Sequence, residues 1–589
     1  MVAIAIMVVA CEPRTESPIT TTETQTPQST SKPTETSQPT QPTQTPTSTT
    51  PSSTARPTYG GTITVGNAGT GSFAAPGVTG MGQEYIRQHL VYQPLAQPDW
   101  SKGPEGTKEI SFNSAYTPME YHSPLLAESW EIPNLATYIF HLRKGVRFHN
   151  KRPAFGREMT AADWVWSLQR IGATAGAAFP VPPTKVTAVD KYTLRIEIAD
   201  PDPNAFWNLM YGHFVYAPEM GDSADWRDAN GTGPYMVKEV VVGSSATLVR
   251  NPDYFETDPL YPGNRLPYID QVREIFITDP ATQLAALRAG KIDRAWGVAW
   301  QDAEQLQKTN PGILSKKGQG NASMILVLRI DNDKFKDLRV RQALSMAIDK
   351  QAILQHYYRG NADLISWPLQ PDSINEFTPY DKLPADLKQL WEYHPDKARQ
   401  LLAEAGFPNG FKTTMLMYPS PSYQDVAAIV KDNWIAVGVD VTLVPSEPAT
   451  YWNIVNATPR GFETNMAPYG NSNPYNFFNR FYRPPHNLNW FWTDKTTFQD
   501  DYINEARNKI NSTLDPAERS KMIKQLGLDL MGRVYVIPMP LPSNYTFWQP
   551  WLRGYSGEIG IGHVWGYEGF WQYVWIDQDL KAKITGVKQ

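Results

Sequence analysis

The chain has one cysteine in 589 residues, only nine histidines, and no apolar run long enough to cross a bilayer. With Cys11 alone, neither an intrachain disulfide nor a thiolate metal site can form. The histidines are scattered, without HExxH or any paired spacing. Asp331-Asn332-Asp333 begins like a calcium loop but places Phe335 where the next oxygen ligand belongs and lacks the required glycine, so no metal is expected. There is no GxSxG elbow and no Walker glycine-lysine motif, and no cofactor is called for. The net charge is -5 with basic residues dispersed, which excludes the concentrated basic face that nucleic acid requires.

The longest apolar run is Val2 to Ala10, directly before Cys11. At about 1.5 Å per residue it reaches less than half of a roughly 30 Å hydrocarbon core, so it has the length of a signal-peptide apolar segment and not of a span. Val8-Val9-Ala10-Cys11 resembles a bacterial lipobox, in which cleavage leaves a lipid-modified N-terminal cysteine. Residues 1–11 are therefore expected to be a lipoprotein signal and Cys11 the lipid attachment site, with everything beyond it outside the cytoplasm, periplasmic or on the cell surface. No Lys or Arg precedes the run, and an upstream start carrying a basic segment is expected. From Glu12 to Thr58 the chain is almost wholly Thr, Pro, Ser and Gln. Such a segment buries too little apolar surface to offset its ordering entropy, and a disordered tether over 12–58 is expected.

The remaining residues suffice for two or three cores and are rich in rings, with 19 Trp and 29 Tyr in the chain. Gly61 to Gly66 alternates as a strand does, and Glu84 to Tyr92 reads as a helix. Thr137 to Leu142 is a strand. Thr160 with Asp163 forms a capping-box pattern opening a helix to about Arg170. Val186 to Ile198 holds two strand-like pieces about a turn at Asp190-Lys191, and Thr247 to Arg250 is expected to pair with Met236 to Val240. Ala281 to Ala289 reads as a short helix closed by Gly290. Beyond Met324 the pattern becomes α/β. Asp337 to Leu354 has the periodicity of one long helix, with Val340, Ala343, Leu344, Ala347 and Ile348 on its buried face. Asp396 to Ala405 stops at Gly406. Lys412 to Tyr418 and Val439 to Val444 are strands joined by a helix, Tyr423 to Val437, which predicts a parallel pair.

Six stretches in order carry a family resemblance: Leu126 to Glu131 with Thr137 to Phe148, Gly231 to Tyr235 with Arg250 to Tyr254, Ala286 to Asp293, Asp337 to Ile353, Pro395 to Gly410, and Ile429 to Tyr451. On these the chain resembles the large extracytoplasmic solute-binding proteins of ABC importers, family 5, the peptide, nickel and oligosaccharide class. The resemblance implies an α/β, two-lobed periplasmic-binding-protein-like fold of class II with a hinge between lobes. Lobe I would comprise residues 59–323 plus 536–589, and lobe II residues 324–535. It also implies a monomer that hands its solute to ABC permease and ATPase subunits without making or breaking a bond.

By the same resemblance, Phe73, Trp296 and Trp300 would lie on first-lobe loops facing the cleft, and Tyr469, Asn471, Asn473 and Phe477 would face them from the second lobe. The bland alternative is core packing for the aromatics and turn chemistry for the asparagines. The chain departs from the family pattern in three places. Ser101 to His122 is longer than the usual link, and Ala154 to Glu158 looks inserted. Asn473 stands where peptide binders commonly carry an aspartate that holds the ligand α-amino group. Loss of that charge favours oligosaccharides or other neutral solutes over free peptides. A secreted glycan or peptide hydrolase, with a carboxyl pair across a cleft, and a tethered adhesin with a flat face are the competing readings.

Overall fold

The computed structural model describes residues 56–67, 84–112, 117–173, 183–199, 201, 203–211, 213–320, 322–457, 461–469, 474, 500–558 and 569–586. Two large sheets organise them. The first has eight strands, running Leu314–Gln319, Leu541–Trp548, Arg294–Ala299, Thr62–Asn67, Gln271–Phe276, Ser245–Arg250 and Tyr235–Val241, with the two-residue strand Ala362–Asp363 paired onto Leu541–Trp548 off this path. The second has five, in the order Val439–Val444, Phe411–Met417, Thr464–Tyr469, Ser323–Leu328 and Val536–Pro538. A smaller antiparallel sheet, Ala127–Asn134, Thr137–Leu142, Thr193–Ile198 and Pro183–Ala188, packs into the same core as the first. In its two central strands every second residue is buried, so one face covers the core.

The chain passes from the first large sheet to the second between Gln319 and Ser323, and returns between Pro538 and Leu541. The two crossings touch. Met539 N donates to Met324 O at 2.9 Å, and a Cβ built on Gly320 would stand 2.1 Å from the Pro542 carbonyl oxygen. Only glycine permits that approach. Strand Ser323–Leu328, buried at every residue, is the spine of the second sheet. It pairs antiparallel with strands on both sides.

Local signals translate well into structure. Asp163 Oδ2 accepts from Thr160 N at 2.7 Å at the head of helix Ala161–Ala173, which runs beyond the expected end. The expected hairpin forms between Tyr235–Val241 and Ser245–Arg250. Phe411–Met417 and Val439–Val444 are parallel in register, joined through helix Pro421–Ile435 and the positive-φ Gly438.

One expectation is corrected. The single helix over Asp337 to Leu354 is broken: helix Leu338–Met346 ends, and Asp349 caps a new turn by accepting from Ala352 N at 2.7 Å. A turn of wider π geometry follows, Ile353–Tyr357. The break is held by Lys350, whose buried Nζ donates to Ser345 O at 2.6 Å, Ser345 Oγ at 3.1 Å and Leu390 O at 2.9 Å. Burial pushes that ammonium down to about 7.

Candidate functional site

Beside the two crossings lies a cavity of about 310 Å3 with walls from both halves of the chain. Lys317, Gly318 and Gln319, the end of strand Leu314–Gln319, form one wall together with Ser543 of the neighbouring strand. Asp363, Pro371, Asp372 and Ile374, from the part of the chain between the two crossings, also line it, as do Ile110, Ser111, Phe112 and Pro118.

Each wall is fixed by local structure. Asp363 pairs with Leu541, and Ala362 with Pro542, so the segment after the π turn is stitched onto the first sheet. Asn361 reinforces it, since Ser543 N donates to Asn361 O at 2.8 Å and Tyr545 OH to Asn361 Oδ1 at 2.9 Å. Gln319 Nε2 donates to Gln370 Oε1 at 3.2 Å, a bond from the first sheet to the loop that carries Pro371 and Asp372. Phe112, at positive φ, lies parallel to Trp100 with ring centroids 6.1 Å apart, and Trp100 in turn stacks on Tyr573 at 4.9 Å.

The cavity's charges are two carboxylates and one ammonium. Burial pushes the Asp363 carboxyl above its ordinary range, an effect that nearby Lys317 opposes. Glu376, two residues after the lining Ile374, is buried and likewise raised, by desolvation first and by Glu120 among the lesser causes, although Ser520 Oγ donates to it at 2.6 Å. Among the described residues no group of three or more His, Cys, Asp or Glu side chains is arranged to hold a metal ion.

The residues expected to meet ligand are placed as follows. Trp296 lies on strand Arg294–Ala299 and not on a loop, half-buried, with the Arg294 guanidinium 5.9 Å from its ring. That guanidinium also sits over Tyr555, Phe570 and Trp571, and its Nε donates to Tyr555 OH at 2.6 Å. Trp300 opens helix Trp300–Thr309 and is buried among Ala303, Leu306 and residues of the second sheet. Tyr469 ends strand Thr464–Tyr469 and is 1% exposed, with its hydroxyl donating to Pro368 O at 2.9 Å and its ring edge-on to Trp367. None of these three lines the cavity of about 310 Å3, and Trp300 and Tyr469 are buried against residues of other elements as well as their own. Phe73, Asn471, Asn473, Phe477 and Cys11 lie outside the described residues.

Sequence reasoning missed Lys317, Gln319, Asp363 and Asp372, which carry no motif. The one signal for the site was the long stretch Ser101 to His122, since Ile110 to Pro118 belongs to it. A larger cavity of about 640 Å3, around Thr64, Asp293, Trp551 and Lys581, touches only the first sheet and its helices. Its buried Asp293 accepts from Thr64 N at 2.6 Å and Trp551 Nε1 at 2.7 Å, and so serves the fold.

Two sheets joined by paired crossings, with a polar cavity at the junction, define a two-lobed solute-binding protein. The family model described as bacterial extracellular solute-binding proteins, family 5, middle, matches residues 122–489, and the chain belongs to that family. Heme-binding protein A of Haemophilus influenzae is 28% identical over 501 residues, covering 78% of this chain and 85% of that protein. The periplasmic oligopeptide-binding protein OppA of Salmonella typhimurium is 26% identical over 482 residues, 75% of this chain and 83% of its own. Among solved structures, HbpA2 of Haemophilus parasuis superposes with a TM-score of 0.69 at 22% identity, covering 88% of this chain and all of that one. DppA of Helicobacter pylori, in complex with the peptide STSA, gives 0.66 at 23% identity, covering 88% and 99%. The chain is a binding protein and not an enzyme, which sets the hydrolase reading aside. No helix among the described residues is long and apolar enough to cross a membrane.

Proposed function

We propose that this chain is the lipid-anchored extracytoplasmic receptor of an ABC importer and captures a short peptide between its two lobes. The observation that carries this reading is the cavity beside the crossings, lined by Lys317 and Gln319 from before the first crossing and by Asp363 and Asp372 from the segment between the crossings. A solute touching both walls favours one setting of the lobes by its differential affinity, and the permease and ATPase subunits act on that setting. In this reading the strands up to Gln319 and from Leu541 onward form one lobe and those from Ser323 to Pro538 the other. The peptide class is supported by the relatives named for oligopeptides and for di- and tripeptides. Cys11 and the Thr/Pro-rich leash after it support the anchor.

The test is mass spectrometry of solutes released from the purified mature protein, followed by calorimetry with those solutes and solution scattering with and without them. Recovered peptides that bind in the micromolar range or tighter, contract the particle and are returned unaltered are the expected result. Saccharides in place of peptides would overturn the peptide reading and favour the second one, a neutral oligosaccharide, which rests on Asn473. A solute returned chemically changed would overturn the receptor reading itself. Cys11→Ala should move the protein from the membrane fraction to the soluble one, and retention there would remove the anchor.

A further inference from the structure

We propose that the larger cavity, on the first sheet, is a second binding site that takes an organic phosphate, whose anion meets Arg288, Lys291 and Lys581 and whose body fills the space beside Trp551. This site lies within one half of the chain and is separate from the cavity beside the crossings.

Four charged side chains line it: Arg288, Lys291, Lys581 and Asp293. Asp293 is engaged by the protein itself through Thr64 N and Trp551 Nε1, and it faces Lys581 at 3.7 Å. Burial holds its carboxyl above the ordinary range against the pull of Lys581, which lowers the negative charge the cavity carries. Lys581, 9% exposed, also donates to Thr62 O at 3.2 Å. Arg288 and Lys291 differ. Both are exposed, and among the described residues neither has an ion-pair or side-chain hydrogen-bond partner. The lining therefore sets three cations against one carboxylate, with two of the cations open to an incoming anion.

The turn that carries those two is rigidly built. Helix Pro280–Arg288 ends at Gly290, at φ +64°, where Gly290 N donates to Leu287 O at 3.0 Å and Lys291 N to Ala286 O at 2.8 Å. Gln549 Nε2 donates to Leu287 O at 2.7 Å and ties the turn to the first sheet's last strand segment. A Cβ built on Gly290 would stand 3.6 Å from the Trp551 ring and 3.9 Å from the Thr585 methyl, so this turn, that ring and the last turn of helix Gln578–Thr585 surround one space. Arg288 complements the carbonyl end of its own helix, which accounts for one cation and not for the set.

The class of ligand follows from charge, shape and volume. A guanidinium forks onto two oxygens of one phosphate, and ammonium groups add point charges beside it. About 640 Å3 lies within the roughly 300–1,000 Å3 of small-molecule sites and exceeds what a bare inorganic anion fills. Ile313, Pro550, Trp551 and Ile584 supply apolar lining, so the anion carries an organic body. A soluble phosphate ester and the headgroup of an anionic phospholipid share this chemistry.

The experiment uses the full chain, calorimetry with glycerol 3-phosphate and with glycerol, and sedimentation with phosphatidylglycerol and with phosphatidylcholine vesicles. Two double variants accompany wild type: Arg288→Ala with Lys291→Ala, and, as a control of equal charge, Lys521→Ala with Lys524→Ala, both exposed on helix Pro516–Arg533. If the source is a soluble ester, glycerol 3-phosphate binds, glycerol does not, and the cavity pair weakens binding about 10- to 100-fold while the control pair does not. If the source is a lipid, glycerol 3-phosphate fails, phosphatidylglycerol retains more protein than phosphatidylcholine, and only the cavity pair removes the difference. Melting temperatures near wild type show that the variants are folded. No binding in either assay, or an equal loss in both double variants, overturns the site. Solute binding at the other cavity is expected to be unchanged in the cavity pair, so the receptor reading stands or falls separately.

Discussion

The Arg359 guanidinium lies over the Trp300 indole, 5.5 Å from the ring centroid. The pair joins the first residue of a first-sheet helix to the turn that leads into Asn361 and Asp363, with Glu304 adding contacts to Arg359 at 3.8 Å and to Asn361 Nδ2 at 3.2 Å. Trp300 therefore has part of its ring surface engaged by Arg359.

Trp300→Ala should cost about 3–5 kcal/mol, the usual loss for a buried large aromatic, while solute affinity measured below the lowered melting point changes less than about fivefold. Arg359→Met should cost about 0.5–1 kcal/mol. Calorimetric melting and titration of both variants check this. A large affinity loss with unchanged stability would return Trp300 to the solute.

Gly320→Ala should destabilise by about 1–3 kcal/mol, because its Cβ would stand 2.1 Å from the Pro542 carbonyl and must push the two crossings apart. Gly312→Ala, where a Cβ meets nothing within 4 Å, is the control. Thermal melts compare the two.

Tyr469→Phe should lose about 1 kcal/mol, the worth of its bond to the Pro368 carbonyl, with no change in affinity. Denaturant unfolding and titration on one preparation distinguish this from a hydroxyl that touches solute.

Glu558 sets a pH dependence. It is fully buried, and desolvation raises its carboxyl to about 7, with Lys316 opposing the shift and Glu105 adding to it. A folded-state value above the unfolded one means that the neutral acid stabilises the fold below about pH 4.5, and that this contribution fades as pH rises through 7. Wild type should lose on the order of 1–3 kcal/mol between about pH 4.5 and 7.5 relative to Glu558→Gln, since a tenfold change in a proton-binding equilibrium is worth about 1.4 kcal/mol. Melting curves across that range check the sign.

Where contacts are local, the fold is legible in the sequence. The parallel strands Phe411–Met417 and Val439–Val444 follow from two apolar runs, one helix and a glycine at its end. The capping box at Thr160 follows from four consecutive residues. The helix after Asp337 misled because apolar spacing continues through Ala347 and Ile348. Its break depends on the Asp349 carboxylate and the buried Lys350 ammonium, whose acceptors include Leu390 O, far along the chain. The site was harder for the same reason. Asp363 reaches the cavity by pairing with Leu541, and no periodicity near either residue announces that partnership. Aromatics drew attention as ligand contacts because rings suit pockets, yet Trp300 and Tyr469 have their polar and flat surfaces engaged by the protein itself.

Strand Leu541–Trp548 sits between Leu314–Gln319 and Arg294–Ala299 in the first sheet. A ribosome therefore supplies this interior strand of the sheet last, after every described strand of the other sheet has emerged. Until then the early half carries two exposed edges where one continuous surface will later stand. A chain built this way stays incomplete through most of its synthesis, a property that suits passage through a narrow export channel before folding begins.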